Sequence, residues 1–301
     1  MNQLKIYFDN VNFNSSSGPN SFGLKLAREL HKTGYKIVSD NPDVQISFIH
    51  IQTKASKTLL RLDGIYFNSE QDWKQLNQPI KMSYDFVEGV VFQSEFNKVH
   101  AEKYFGKHKN ASVIHNGTDI ETIKLVPAFN HTLLKQFEKV WACASQWRPH
   151  KRLNDNIEYF LNFAGKQDCL LVAGDVGDNL DKKYLNNPRI IYVGMLDWFN
   201  LISIFKTADY FIHLAFLDHC PNVVVDARAC GCHIVCASSG GTHEIAGSKS
   251  TVIKDLEWDY APLKLYSPPK LDMNKIIATK TNSDINIKTV ANKYILALKN
   301  L

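Results

Sequence analysis

Short apolar runs recur along the chain, separated by longer stretches in which apolar positions return every third or fourth residue. Residues 5–8, 44–49 and 90–93 read as buried strands, and 21–32 and 95–104 as amphipathic helices. The loop 14–20, built of Ser, Asn, Gly and Pro, opens the first helix, and Gly34 ends it. Ser94 is placed to cap the second. The alternation then restarts, with strands at 139–144, within 169–175, and at 190–193, 210–214 and 232–237, and helices at 154–164 and 201–208. Such alternation is the pattern of parallel α/β sheets with helices on their faces, and its doubling implies two Rossmann-like units. The weakly patterned 120–136 would join them, and after Asp255 the pattern fades into a segment marked by Trp258, Pro262, Pro268 and Pro269.

Length agrees with that division. A chain of 301 residues exceeds a typical domain, and two domains of about 150 residues are expected. The division read from the pattern is 1–125, then 126–283, with 284–301 as a terminal helix. A hydrophobic share of 45% can fill two cores. No apolar run reaches the roughly 18 residues of a membrane span. Polar Met1, Asn2 and Gln3 lead into a strand rather than a secretory signal, so a cytoplasmic chain is expected.

Charge narrows the partners only mildly. A net +5, from 35 basic and 30 acidic residues, does not imply nucleic acid. Lys25, Arg28 and Lys32 group on one predicted helix, and Lys98, Lys103, Lys107, His108 and Lys109 form a second group. They read either as solvated helix faces or as a peripheral dock for an anionic membrane surface or acceptor. Of the six cysteines, Cys220, Cys230, Cys232 and Cys236 are crowded, but without paired CxxC spacing and among core-like neighbours, so buried free thiols are expected and no metal.

The most specific chemistry lies in 218–232. Asp218 and Asp226 stand eight positions apart, around Pro221-Asn222 and the apolar run Val223 to Val225. Asp218 would close a loop after the strand 210–214. Asp226 would stand in the first turn of a helix that runs through Ala229 and stops at Gly231. The two carboxylates thereby straddle a strand-to-helix crevice, where open α/β sheets bind ligands.

This segment resembles the Glu-x7-Glu signature of retaining GT-B glycosyltransferases of family four, with aspartate at both glutamate positions. Residues 238–244, Ser-Ser-Gly-Gly-Thr-His-Glu, are similar to that family's Gly-Gly-x-x-Glu phosphate turn, and 112–119 resembles its Val-Ile-Pro-Asn-Gly-Val-Asp, with His115 in the proline position. The resemblance implies a GT-B fold of two Rossmann-like domains facing across a cleft, with the C-terminal helix crossing back to the first. It also implies retaining, metal-independent transfer of a hexose from a nucleotide diphosphate sugar to a hydroxyl of a glycan or lipid-linked acceptor, with no cofactor.

Roles follow position by position. Asp226 would accept both ribose hydroxyls, and Asp218 would orient the transferred sugar. The diphosphate would meet Gly240, Gly241 and Thr242 at a helix start, together with Lys151, which matches the family's lysine. Gln146 occupies the family's arginine position, and Arg148, two residues on, is the substitute cation. His219 replaces a glycine near the sugar, and Asn222, Val223 and Gly18 complete the donor set. Gly18 sits in a partial match to a glycine-rich turn, which a plain strand-to-helix loop explains equally. Asp63 takes the place of a histidine and could serve as acceptor base, sugar contact or turn cap. Two other readings remain for the chain: a GT-B-fold nucleotide-sugar binder without turnover, motivated by these replacements, and a nucleotide-sugar epimerase.

Overall fold

The computed structural model describes residues 4–278, 281 and 283–301; the expectation for Met1, Asn2 and Gln3 falls outside them. Two sheets organise the chain. The first has the order β2-β1-β3-β4-β5-β6, all parallel, with β1 at Lys5–Asp9, β2 at Lys36–Ile37, β3 at Val44–Phe48, β4 at Lys57–Leu62, β5 at Gly89–Phe92 and β6 at Ala111–Val113. The second has the order β13-β12-β11-β10-β7-β8-β9, with β7 at Val140–Ala144, β8 at Cys169–Ala173, β9 at Ile190–Gly194, β10 at Tyr210–His213, β11 at His233–Ala237, β12 at Thr251–Ile253 and β13 at Ile276–Ile277. Among the described residues only β13 pairs antiparallel, at one edge.

Central strands such as β3, β7 and β8 are buried at every position, because helices cover both sheet faces. Successive side chains of β7 therefore enter different cores. Trp141 and Cys143 join Ile157 and Phe160 on one side, while Ala142 and Ala144 join Phe205 and Val224 on the other. Each large apolar side chain buried this way contributes about 1.5–3 kcal/mol. In the first sheet, α1 (Gly18–Lys32) packs against the C-terminal helix α9 (Ile287–Lys299), where Phe22, Leu26, Val290 and Tyr294 share one core.

Several elements differ from the sequence reading. Helix α2 (Trp73–Phe86) was not anticipated, since Pro79 lies inside it and its buried face carries Asn77 and Ser83 beside Ile80 and Tyr84. Asp72 caps it by accepting from the Gln75 N–H. The expected connection at 120–136 contains α4 (Ile120–Leu125) and a 3-10 turn at Thr132–Gln136. The proline-marked segment after Asp255 lies against the first sheet's side of the molecule. There the Ser69 N–H donates to the Leu263 carbonyl and the Tyr104 hydroxyl to the Tyr260 carbonyl. The six cysteines are free, five of them buried.

Candidate functional site

The carboxyl ends of the two sets of strands face one another across a cleft of about 560 Å3. Its walls begin where strands stop. Arg61 and Asp63 come from the end of β4, Gln93 follows β5, Ser145 and Gln146 follow β7, Leu196 to Trp198 follow β9, and His213 ends β10.

Two helices point their N-termini into this space. One is α1, beginning at Gly18-Pro19. The other is α7 (Asn222–Ala229), whose N-cap is Pro221. Proline suits a helix start, because it lacks the N–H that would go unpaired there and has its φ already set. The Pro-Asn pair is therefore the opening of the helix and not a turn before it, which puts Asp226 in the second turn rather than the first. The Asn222 side chain donates to the Gly18 carbonyl (2.8 Å) and accepts from Asn116 Nδ2 (2.9 Å), tying the two helix starts together.

Asp218 is the most constrained carboxylate of the cleft. Its Oδ2 accepts from Lys151 Nζ at 2.5 Å and lies 2.9 Å from His213 Nε2. Burial alone would raise its pKa, but Lys151 and His213 outweigh burial and hold the group well below the ordinary carboxylate value. The backbone is fixed as well. Leu217 has φ +55°, an unusual conformation for a branched residue, and the Asp218 carbonyl accepts from the Gly241 N–H at 2.7 Å. Gly240, with φ +80°, must be glycine, since a Cβ there would lie 2.4 Å from that carbonyl oxygen.

That contact places Gly240 and Gly241 beside the Asp218 loop, with Thr242 opening the next helix. None of the three lines the cleft: the glycines buttress the Asp218 loop from behind, and Thr242 is fully buried. Glu244 turns toward the first sheet, where its carboxylate accepts from the Glu95 and Phe96 N–H groups (2.8 and 2.9 Å) at the start of α3 (Glu95–Phe105) and lies 2.9 Å from His115 Nε2. Ser94 caps the same helix by accepting from the Asn97 N–H.

Asp226 is also engaged. Lys25 Nζ of α1 approaches both its oxygens, at 2.8 and 3.1 Å, and Trp198 Nε1 donates to Oδ2 at 3.0 Å. The ammonium stands 5.2 Å from the Trp198 ring centre and 3.3 Å from Thr118 Oγ1. The basic group expected on α1 is thus divided. Arg28 is exposed, Lys32 pairs with Asp119, and Lys25 turns into the cleft.

Of the remaining expected residues, Arg148, Lys151, Gln146, Asp63, Asn222, Val223, Gly18 and His219 all line the cleft. Arg148 and Gln146 are exposed at its mouth. Asp63 pairs through Oδ1 with the fully buried Arg61, whose guanidinium also donates to Asn116 Oδ1 (2.7 Å) and Gln93 Oε1 (3.3 Å) and lies over Phe22 and Phe48. Asp63 Oδ2 is buried without a partner among the described residues. His219 packs among Phe67, Phe96 and His100. Burial, with Lys151 adding to it against the pull of Asp218, lowers its pKa to about 4, so the ring is neutral at neutral pH. Gly64 makes room for it, since a Cβ there would lie 2.4 Å from His219 Nε2.

Sequence reasoning missed Lys25, His213, Trp198 and the scaffold made by Arg61 and Asn116. A histidine on the last residue of the strand leading into the Asp218 loop was a usable signal. The pairing of Lys25 with Asp226 spans 201 positions and left none.

Residues 128–259 match the family model described as Glycosyl transferases group 1. Among solved structures, sucrose-phosphate synthase from Thermosynechococcus elongatus aligns over 99% of this chain and 98% of its own, with a TM-score of 0.69 at 12% identity. HepE from Anabaena, solved in complex with UDP-glucose, aligns over 99% and 100%, with a TM-score of 0.67 at 14% identity. WaaG, a glycosyltransferase involved in lipopolysaccharide biosynthesis, aligns over 99% and 93%, with a TM-score of 0.61 at 10% identity. No curated protein matches the chain in sequence. The chain thus has the two-domain fold of these glycosyltransferases, and its residues 128–259 match glycosyl transferases group 1.

Proposed function

We propose that this chain is a glycosyltransferase that moves a hexose from a nucleotide diphosphate sugar to a hydroxyl of a glycan or lipid-linked acceptor, with retention and without a metal. The observation that carries the reading is the convergence of the α1 and α7 N-termini with Lys151 and Arg148 on one cleft. Helix N-termini and fixed cations together form an anion seat, suited to a diphosphate that gains charge as the glycosidic bond breaks. Such contacts are worth roughly 3–4 kcal/mol for a single donor. The complex of HepE with UDP-glucose supports a donor of this class.

In the proposed step the bond from the sugar's anomeric carbon to the leaving phosphate breaks, and the acceptor oxygen bonds to that carbon on the same face. The acceptor proton passes to the departing phosphate oxygen. No strong protein base is required, which agrees with an Asp63 engaged by Arg61. Asp218 keeps its charge near the sugar through its pairing with Lys151. Lys151, Arg148 and the helix N-termini supply the positive field without a metal. On the first sheet's side, Met82 and Phe86 of α2 are 73% and 64% exposed, and Lys74, Lys107 and Lys109 are exposed on α2 and after α3. That mixture suits peripheral contact with an anionic membrane that carries a lipid-linked acceptor. Co-sedimentation with anionic but not neutral vesicles checks it.

The donor reading is tested by thermal unfolding with UDP, GDP, ADP and CDP, without added metal. A nucleotide at about a hundred times its Kd stabilises by roughly 2.7 kcal/mol. The expected result is a response to one base in the wild-type chain and none in Asp226→Ala. No response to any of the four would sink the donor assignment.

A further inference from the structure

We propose that His213 is a positioning residue for the transferred sugar: it holds Asp218 Oδ2 so that Oδ1 is presented to the sugar hydroxyls. This rests on the donor reading above and adds to it a residue outside the Asp218 to Asp226 signature.

The geometry around Asp218 divides its two oxygens. Oδ2 takes both protein contacts, from Lys151 at 2.5 Å and His213 at 2.9 Å. Oδ1 takes no side-chain partner among the described residues, although Asp218 lines the cleft. A carboxylate bound by one flexible lysine can rotate so that the ammonium bridges both oxygens, which would withdraw Oδ1 from a ligand. A second donor fixed on the same oxygen prevents that rotation. His213 is suited to the task because it ends β10, is 4% exposed, and stacks on Phe211 of the same strand. A ring seated on a central strand loses little freedom on making the contact.

The protonation state follows from the partner. Asp218 is ionised and only accepts, so the proton of the imidazole lies on Nε2. Burial lowers the pKa of His213, the contact with Asp218 opposing it, so the ring donates as a neutral group. Lys151, Asp218 and His213 together then carry no net charge. A second full cation at this place would neutralise the carboxylate beyond what the lysine already does. The strained Leu217 and the Gly240-Gly241 buttress fix the backbone of Asp218, and His213 fixes its side chain. Only with both fixed is Oδ1 held in one place relative to the α7 N-terminus.

Binding measurements separate this role from a structural one. UDP, ADP and GDP, and their conjugates UDP-glucose, ADP-glucose and GDP-mannose, are titrated calorimetrically into wild type, His213→Phe and His213→Gln. In wild type the conjugate of the preferred base binds more tightly than the free nucleotide. His213→Phe is expected to lower affinity for that conjugate by about tenfold, roughly 1.4 kcal/mol, while the free nucleotide changes less than twofold. His213→Gln, which keeps an N–H donor on a flexible stem, recovers most of the difference and guards against a variant that merely folds poorly. Equal losses for nucleotide and conjugate, no loss for either, or no recovery by glutamine would overturn the role of His213 and leave the donor reading standing. So would a wild type that gains nothing from the sugar. A chain that binds no nucleotide at all would overturn both.

Discussion

Asp218 and Asp226 lie eight residues apart on one loop and helix, and each is bound by a lysine, yet the two pairs are built differently. Lys151 reaches Asp218 from the same sheet's side of the cleft, whereas Lys25 reaches Asp226 from the opposite side, on α1. The first pair survives any movement of one half of the molecule against the other. The second exists only while the cleft is closed. On the proposed reading, chemistry at the sugar is preorganised within one half of the molecule, and the nucleotide end of the cleft depends on how the halves meet.

The largest expected effect falls on the pair within one half. Lys151→Ala removes the cation beside Asp218 and one of the cations of the proposed diphosphate seat, and transfer should fall by about 10²- to 10³-fold, the cost of one preorganised electrostatic donor. Steady-state kinetics with the donor identified by the nucleotide screen would show it in kcat. A loss confined to KM would mean that Lys151 binds the ground state and the transition state alike.

A smaller effect, on stability, separates the two pairs by pH. The seam between the halves buries His100 of α3 against His219, within a group that includes Phe67, Phe96, Trp258 and Tyr260. Neither ring nitrogen of His100 has a hydrogen-bond partner among the described residues, and burial, with smaller effects from His219 and Lys103, lowers its pKa to about 3. The unfolded chain therefore takes up the proton first. Stability from this group is full above about pH 6.5 and falls as pH drops toward the folded value, by about 2–3 kcal/mol at pH 4.5. His219, lowered to about 4, adds to the loss in the same direction. Asp218 stays ionised across that window because its pKa lies well below the usual value. Denaturant unfolding from pH 7 to 4.5 checks this, and His100→Phe should flatten the slope. An unchanged slope would place the acid sensitivity elsewhere.

The same contrast explains what could be read from the sequence. Asp218 and Asp226 lie in a segment whose strand and helix pattern is regular, so spacing placed the first at a strand end and the second within one turn of its position, whereas Lys151 and Asn222 were picked out by the family resemblance. Gly240 and Gly241 were legible as a special turn, but their close approach to the Asp218 loop was not, because the residues they meet there lie about twenty positions earlier in the chain. In the first half of the chain, α2 was hidden by Pro79 and by a buried face that carries Asn77 and Ser83. The apolar period that betrays an amphipathic helix is broken there, although the helix forms. Arg61 was hidden for a related reason. A charged residue inside a strand is a poor core candidate until Asp63, Gln93 and Asn116 are seen around it.

Lys25 gives the smallest and most discriminating prediction. A carboxylate offers about four lone-pair directions, and at Asp226 Lys25 takes two and Trp198 a third. Two ribose hydroxyls cannot both be accepted while Lys25 stays in place. Donor binding by the proposed route therefore requires the α1 side of the cleft to release Asp226, and the closed pair subtracts from nucleotide affinity. Lys25→Met keeps most of the apolar stem but removes the ammonium that competes for Asp226. It should tighten the preferred nucleotide about tenfold, near 1.4 kcal/mol, with no gain in Lys25→Arg. Because Asp226 is nearly buried and loses its counter-charge in the methionine variant, the unliganded chain should be less stable at the same time. Weaker nucleotide binding in Lys25→Met would reverse the assignment, making the lysine part of the donor site and the cleft, as it stands, already arranged to receive its ligand.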